Sequence, residues 1–130
     1  MIVLDTNALV FDALAPERLS PAARSAIEKG EAGGSLACCD ISLWEVAMLI
    51  AKGRIKVDTD TGSFLRSTLA ARGIRVLPIT PEVAALSQSG AIPTPDPADR
   101  LIAATAIHHG AKLVTRDEAL RALDRLSTVW

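Results

Sequence analysis

The sequence predicts an α/β fold of three layers, with a mostly parallel central sheet between helices. Two observations carry this reading. Short apolar runs without polar alternation recur along the chain, the pattern of strands covered on both faces. Between them lie longer stretches with helical spacing, several opened by Ser, Thr or Asp with Pro next and closed by Gly. Strands separated by helices imply parallel neighbours. At 130 residues the chain is long enough to bury a proper core, and residues 1–130 are read as one domain.

The elements follow in order. Ile2, Val3 and Leu4 form a first strand that stops at Asp5, and Ala8 to Ala15 a short helix stopped by Pro16. "SPAARSAIEKGEAGG" is a helix with Ser20 as N-cap, Pro21 at the first helical position and Gly33-Gly34 as the stop. "SLACC" is a strand, and "SLWEVAMLIAKG" a helix that Gly53 ends. Asp60 to Arg72 carries helical spacing at Phe64, Leu65, Thr68 and Leu69, and Gly73 closes it. "IRVLPI" is a strand, and "TPEVAALSQSG" a helix with Thr80 capping and Pro81 leading. The loop "AIPTPDP" precedes the helix "ADRLIAATAIHHG". The run "KLVT" is a strand, and "STVW" a candidate last one.

Composition bounds the function. Hydrophobic residues make up 49%, and mean hydropathy is +0.29, yet no apolar run approaches a membrane span and no signal-type core follows a basic start. A cytoplasmic protein is expected, with apolar surface left for a partner or a second copy. Cys38 and Cys39 are neighbours without CxxC spacing, and read as small buried strand residues. Net charge is −1, against the basic balance of most nucleic-acid binders. Setting four of the 15 acids aside for a metal site leaves 11 against 14 Lys and Arg, about +3 toward a polyanion. Aromatics are only 3%, so a nucleic acid would be gripped by its phosphates rather than by base stacking.

Four acids fall on one edge of such a sheet. In parallel α/β folds the strand carboxyl ends and the helix N-termini share an edge, and that edge holds the site. Asp5 ends the first strand, and Asp117 follows "KLVT". Glu45 and Asp99 are expected in the first turns of their helices. Gathered carboxylates repel unless a cation neutralises them. Hard oxygen donors without histidine or thiol suit Mg²⁺ or Mn²⁺.

Each acid also has a purely structural reading. Asp5, Thr6 and Asn7 are good cap and turn residues. Ser42-Leu-Trp-Glu45 matches a capping box, which would account for Glu45 entirely. Asp96 before Pro97 is an N-cap, Asp99 favours the helix dipole, and Asp117 suits the cap of "EALRAL". Against this, the helix that Asp99 opens is apolar on nearly every side, so it is buried and its polar end is placed for a purpose. Arg100 and Arg116 flank two of the acids, as ion-pair partners or as phosphate contacts. His108 and His109 belong to a helix C-terminus, away from the acidic edge.

The segments "MIVLDTNALV", "SLWEVAMLIAKGRI", "DPADRLIAATA" and "LVTRDEAL", in that order and spacing, resemble the PIN domain, and closely the VapC-type ribonuclease toxins of bacterial toxin–antitoxin pairs. The resemblance covers essentially the whole chain. It implies that the family's four metal-site acids are Asp5, Glu45, Asp99 and Asp117, supported by Thr6, Asn7 and Thr115. It further implies an Mg²⁺- or Mn²⁺-dependent endoribonuclease acting on RNA, a homodimer, and a cognate antitoxin that covers the site. One branch of the family shows "HRDPFDR" where this chain has "PTPDPADR", so contacts made there by His, Arg and Phe have no counterpart.

Three rivals differ in what they require. A phosphoacceptor domain needs an acidic pair near the first strand and a late lysine, and "DTN" and "STVW" supply neither. A haloacid-dehalogenase-like phosphatase needs Asp-x-Asp, and position 7 is Asn. A non-catalytic PIN-like scaffold would keep the fold but has no use for the full acid set.

Overall fold

The computed structural model describes all 130 residues. Five strands form one sheet in the order β3-β2-β1-β4-β5, every neighbouring pair parallel: β1 Ile2–Leu4, β2 Leu36–Cys39, β3 Arg75–Leu77, β4 Lys112–Val114 and β5 Thr128–Val129. The helices are α1 Thr6–Leu14, α2 Pro21–Ala32, α3 Asp40–Ala51, α4 Thr61–Arg72, α5 Pro81–Ser87, α6 Pro97–His108 and α7 Glu118–Arg121.

Side-chain alternation along the strands divides the core in two. Val3, Ala37, Cys39, Leu77 and Leu113 face α5 and α6, where Val83, Ile102 and Ala106 pack on them. Leu4, Leu36, Cys38 and Val114 face the other way, onto Leu9 and Phe11 of α1 and Ile27 of α2. Both faces of the central strands are therefore sealed, which is why β2 carries four consecutive buried residues. The two cysteines lie there, buried and unbonded. This is the three-layer α/β/α arrangement that the sequence predicts. No helix is long and apolar enough to cross a membrane.

Topology places a crevice. From β1 the chain moves outward to β2 and β3, then returns through α5 and α6 to β4 on the opposite side of β1. The strand order reverses between the parallel β1 and β4, and ligands of such sheets bind beyond the strand carboxyl ends at that point. The Asp5 N–H still bonds to the Val114 carbonyl at 3.1 Å, so the two strand ends are held together at its mouth.

The predicted caps Ser20, Thr80 and Asp96 are present, and Asp60, read as the first residue of its helix, is a fourth cap. Ser20, Asp60, Thr80 and Asp96 each accept a backbone N–H three residues on. Gly73 ends α4 in the left-handed region, φ +63°, where glycine has no Cβ to clash. Two helix starts differ from expectation. Helix α1 begins at Thr6 rather than Ala8, because Asp5 caps it by accepting the Ala8 N–H at 2.7 Å. Helix α3 begins at Asp40, with Cys39 of β2 in the N-cap position, so strand passes into helix with no loop between. A 3₁₀ turn at Pro16–Arg18 joins α1 to α2.

Candidate active site

The start of α3 removes the capping-box reading of Glu45. Ser42 is the third helical residue, not the N-cap, and its side chain is fully buried. Glu45 sits in the second turn rather than the first. Both side chains turn toward α1 instead: Thr6 Oγ1 donates to the Glu45 carboxylate and shares a 3.0 Å hydrogen bond with Ser42 Oγ. Helix α3 thus presents Glu45 toward the end of β1, and Thr6 fixes its orientation. Ser42 is the member that sequence reasoning assigned to the wrong task.

The other acids arrive from separate segments. Asp5 is 6% exposed at the end of β1. Asp99 lies in the first turn of α6, and its N–H is taken by Asp96 at 3.0 Å. Asp117 follows β4 and caps α7 by accepting the Leu120 N–H at 3.0 Å. Buried Thr115 links two of them. Its hydroxyl accepts the Asp117 N–H at 3.1 Å and favours the charged form of the Asp5 carboxylate.

Electrostatics show that these acids share one place. Asp99 is pushed up to about 7, first by burial and then by the charges of Asp96, Asp117, Glu45 and Asp5. Asp5 is raised mainly by burial. The Thr115 hydroxyl and the Ala8 N–H pull it back, Asp117 raises it and the Arg116 guanidinium lowers it. Burial also raises Glu45, the Thr6 hydroxyl opposes this, and Asp96 and Asp5 add to it. Asp99 thus feels four other acids, Glu45 two and Asp5 one, a like-charge pattern that couples them. Asp96, read from sequence only as a cap, is the strongest charged neighbour of both Asp99 and Glu45.

The cluster is not a closed cage. No three His, Cys, Asp or Glu side chains are arranged so that they could hold a metal ion together. Local hydrogen bonds occupy part of the donor set. One oxygen each of Asp5 and Asp117 is spent on a helix cap, and Glu45 is turned to Thr6. In donor chemistry and charge the set still fits a hard divalent cation: oxygen donors alone, partly dry, repelling one another.

The flanking residues separate. Arg100 holds neither an acid nor an open position: it donates to the Ser87 carbonyl at 2.7 Å and the Thr94 carbonyl at 3.0 Å, tying the α5–α6 connection to α6. It is a structural brace, a correction to both roles read for it. Arg116 is exposed beside Asp5, with its guanidinium carbon 4.9 Å from the Phe11 ring centroid. Asn7 is exposed one residue beyond Thr6. His108 and His109 are exposed at the far end of α6, as expected.

A PIN-domain model matches residues 2–126 of the chain. A curated relative, Ribonuclease VapC22 of Mycobacterium tuberculosis, is 41% identical over 132 residues, covering 99% of this chain and 98% of its own. The chain therefore belongs to the PIN-domain family, among the VapC-type toxins of toxin–antitoxin systems. Solved structures share the fold. VapBC2 from Rickettsia felis, bound to a DNA fragment from its promoter, matches with TM-score 0.70 at 21% identity, over 98% of this chain and 97% of that one. FitAcB from Neisseria gonorrhoeae matches with TM-score 0.62 at 24% identity, over 98% and 96%.

Proposed function

We infer that the chain is a single-domain, Mg²⁺- or Mn²⁺-dependent endoribonuclease, the toxin of a toxin–antitoxin pair. The observation that carries this is the convergence on Asp99 of charge from Asp5, Glu45, Asp96 and Asp117, brought from distant segments to the β1–β4 crevice. A scaffold gains nothing from such repulsion. The 41% identity to a protein named a ribonuclease supports the choice of RNA.

Asp5, Glu45, Asp99 and Asp117 would hold the ion. When bound, it supplies positive charge that acidifies water and stabilises the phosphorane-like transition state and leaving oxygen. The chain's residues do the positioning. Asp5 is fixed by the Ala8 N–H and Thr115, and Glu45 by Thr6. The free oxygen of Glu45 or Asp117 takes the proton of the attacking water. The water oxygen bonds to phosphorus as the P–O3′ bond breaks and the 3′-oxygen is protonated, leaving a 5′-phosphate and a 3′-hydroxyl. The RNA 2′-hydroxyl takes no part.

Partners follow from the surface. Trp44 is 59% exposed beside a depression of about 490 Å³ that Met48, Pro97 and Leu101 share with Glu45 and Asp96. A second copy packing on Trp44 and Met48, at the side of this depression away from the acids' open edge, gives the homodimer. A cognate antitoxin covering the acids would silence the site. The solved relatives described as VapBC and FitAB-type assemblies support that kind of partner.

The test is cleavage of structured RNA. Purified protein should cut with Mg²⁺ or Mn²⁺ and stop in excess EDTA. Asp5→Asn or Asp99→Asn should remove activity by two orders of magnitude or more, roughly the scale of a positioned acid–base group, while the protein stays folded. Cleavage that survives thorough chelation would overturn the metal mechanism.

A further inference from the structure

Beside the acids lies a surface of opposite sign. A groove of about 330 Å³ runs between α1 and the segment after α3, and its walls carry Arg18, Arg54, Lys56 and Arg116 without one acid. All four side chains are exposed, and none takes part in an ion pair, for the only salt bridges of the chain are those of Arg72 with Asp12 and Glu31. Two of the four are held in place. The guanidinium carbons of Arg18 and Arg116 lie 4.2 and 4.9 Å from the centroid of one ring, that of buried Phe11. A net charge of −1 makes such a run of unpaired cations conspicuous. Two residues join the groove to the acidic edge: Asn7, in the first turn after Asp5, and Arg116, which stabilises the Asp5 carboxylate.

We propose that this groove is the track for the RNA strand flanking the scissile phosphate, with Arg18, Arg54, Lys56 and Arg116 contacting successive backbone phosphates. The nuclease reading supplies only the identity of the polymer. The geometry explains how a net-acidic chain draws a polyanion to a cluster of carboxylates: cations beside the site bind the strand, and the acids meet a single phosphate. The floor holds no stacking platform, since its one ring is buried and already covered by the two guanidinium groups. The track therefore reads charge rather than base, and an arginine on the ring offers paired N–H donors in the geometry of a phosphate.

The test uses Arg54→Gln combined with Lys56→Gln, both outside the acid cluster. On a single-stranded 12-nucleotide RNA the double variant should show KM raised about tenfold with kcat unchanged. On a dinucleotide, too short to enter the groove, it should match wild type. Binding of the same 12-mer is measured in an Asp99→Asn background, which needs no cleavage. There the slope of log affinity against log salt should shrink by about 1.4, two phosphate contacts at about 0.7 each for a single strand. An unchanged slope and KM would overturn the track. Unaltered RNA binding with loss of binding to a synthetic Glu/Leu-rich peptide would overturn it too, in favour of a protein-docking surface. If wild type cleaves no RNA, the nuclease reading fails while the salt slope still decides the groove.

Discussion

Glu45 shows how much a single helix start decides. With Ser42 as N-cap, the pair would be a closed local motif and Glu45 would have no further task. With α3 starting at Asp40, Ser42 is a buried prop, and Glu45 is a carboxylate aimed at α1 by Thr6. The two arrangements respond oppositely to mutation. Glu45→Gln keeps the size and an acceptor for Thr6, so stability should stay within about 1 kcal/mol, the net worth of one hydrogen bond. Ribonuclease activity should fall by roughly 100-fold or more, because charge and basicity are lost. Ser42→Ala empties a hydrogen-bonded position behind Thr6. It should cost about 1 kcal/mol and also lower activity several-fold, where a cap residue would spare it. Thermal melts and cleavage assays on the two variants decide between these outcomes; Glu45→Gln at wild-type activity would leave a three-acid site.

At the scale of elements, what was legible in the sequence is what local chemistry determines. Strands β1, β2 and β4 announce themselves by unbroken apolar runs, α2, α5 and α6 by a cap residue with proline next, and α4 by helical spacing closed at Gly73. What was not legible depends on how elements meet. The N-cap read at Ser42 lies three residues beyond β2, yet the strand's own Cys39 holds the cap position. Arg100 reads as a cation beside an acid, but the carbonyls it braces come from another helix and its connection. Assembly has the same character. The apolar excess and the family resemblance suggest a dimer through helices such as α3 and α4, and packing distinguishes the two. Phe64, Leu65 and Leu69 of α4 lie against the core, whereas Trp44 of α3 points outward. If the chain is the proposed dimer, wild type should sediment at twice the 13.7 kDa chain mass at micromolar concentration, and Trp44→Arg should sediment as monomer. A mutant that sediments as wild type does would remove α3 from the interface.

The whole molecule is a means of placing like charges together. The switch in strand order between the parallel β1 and β4 sets Asp5 beside Asp117, while α3 and α6 bring Glu45 and Asp99 over the same edge. The fold bears the cost of that crowding, which the proposed divalent cation would relieve. Asp99 makes the cost measurable. Between its ordinary value of 3.8 and its folded value of about 7, the folded chain holds a proton that the unfolded chain has released. Stability without metal should therefore fall as pH rises through that window, and remain lowered above it. A bound divalent ion reverses this, and it competes with the proton for the same carboxylate. The most direct measurement is the melting temperature with EDTA or with Mg²⁺, at pH 5.5 and at pH 8, for wild type and Asp99→Asn. An ion at roughly 100 times its dissociation constant adds about 2.7 kcal/mol, a shift of several degrees. The expected result is such a shift for wild type at pH 8 and a much smaller one at pH 5.5. In EDTA at pH 8, Asp99→Asn should melt above wild type and gain little from Mg²⁺. A wild-type melting temperature indifferent to Mg²⁺ at pH 8, or an Asp99→Asn variant no more stable than wild type in EDTA, would contradict the claim that these carboxylates are gathered for a metal.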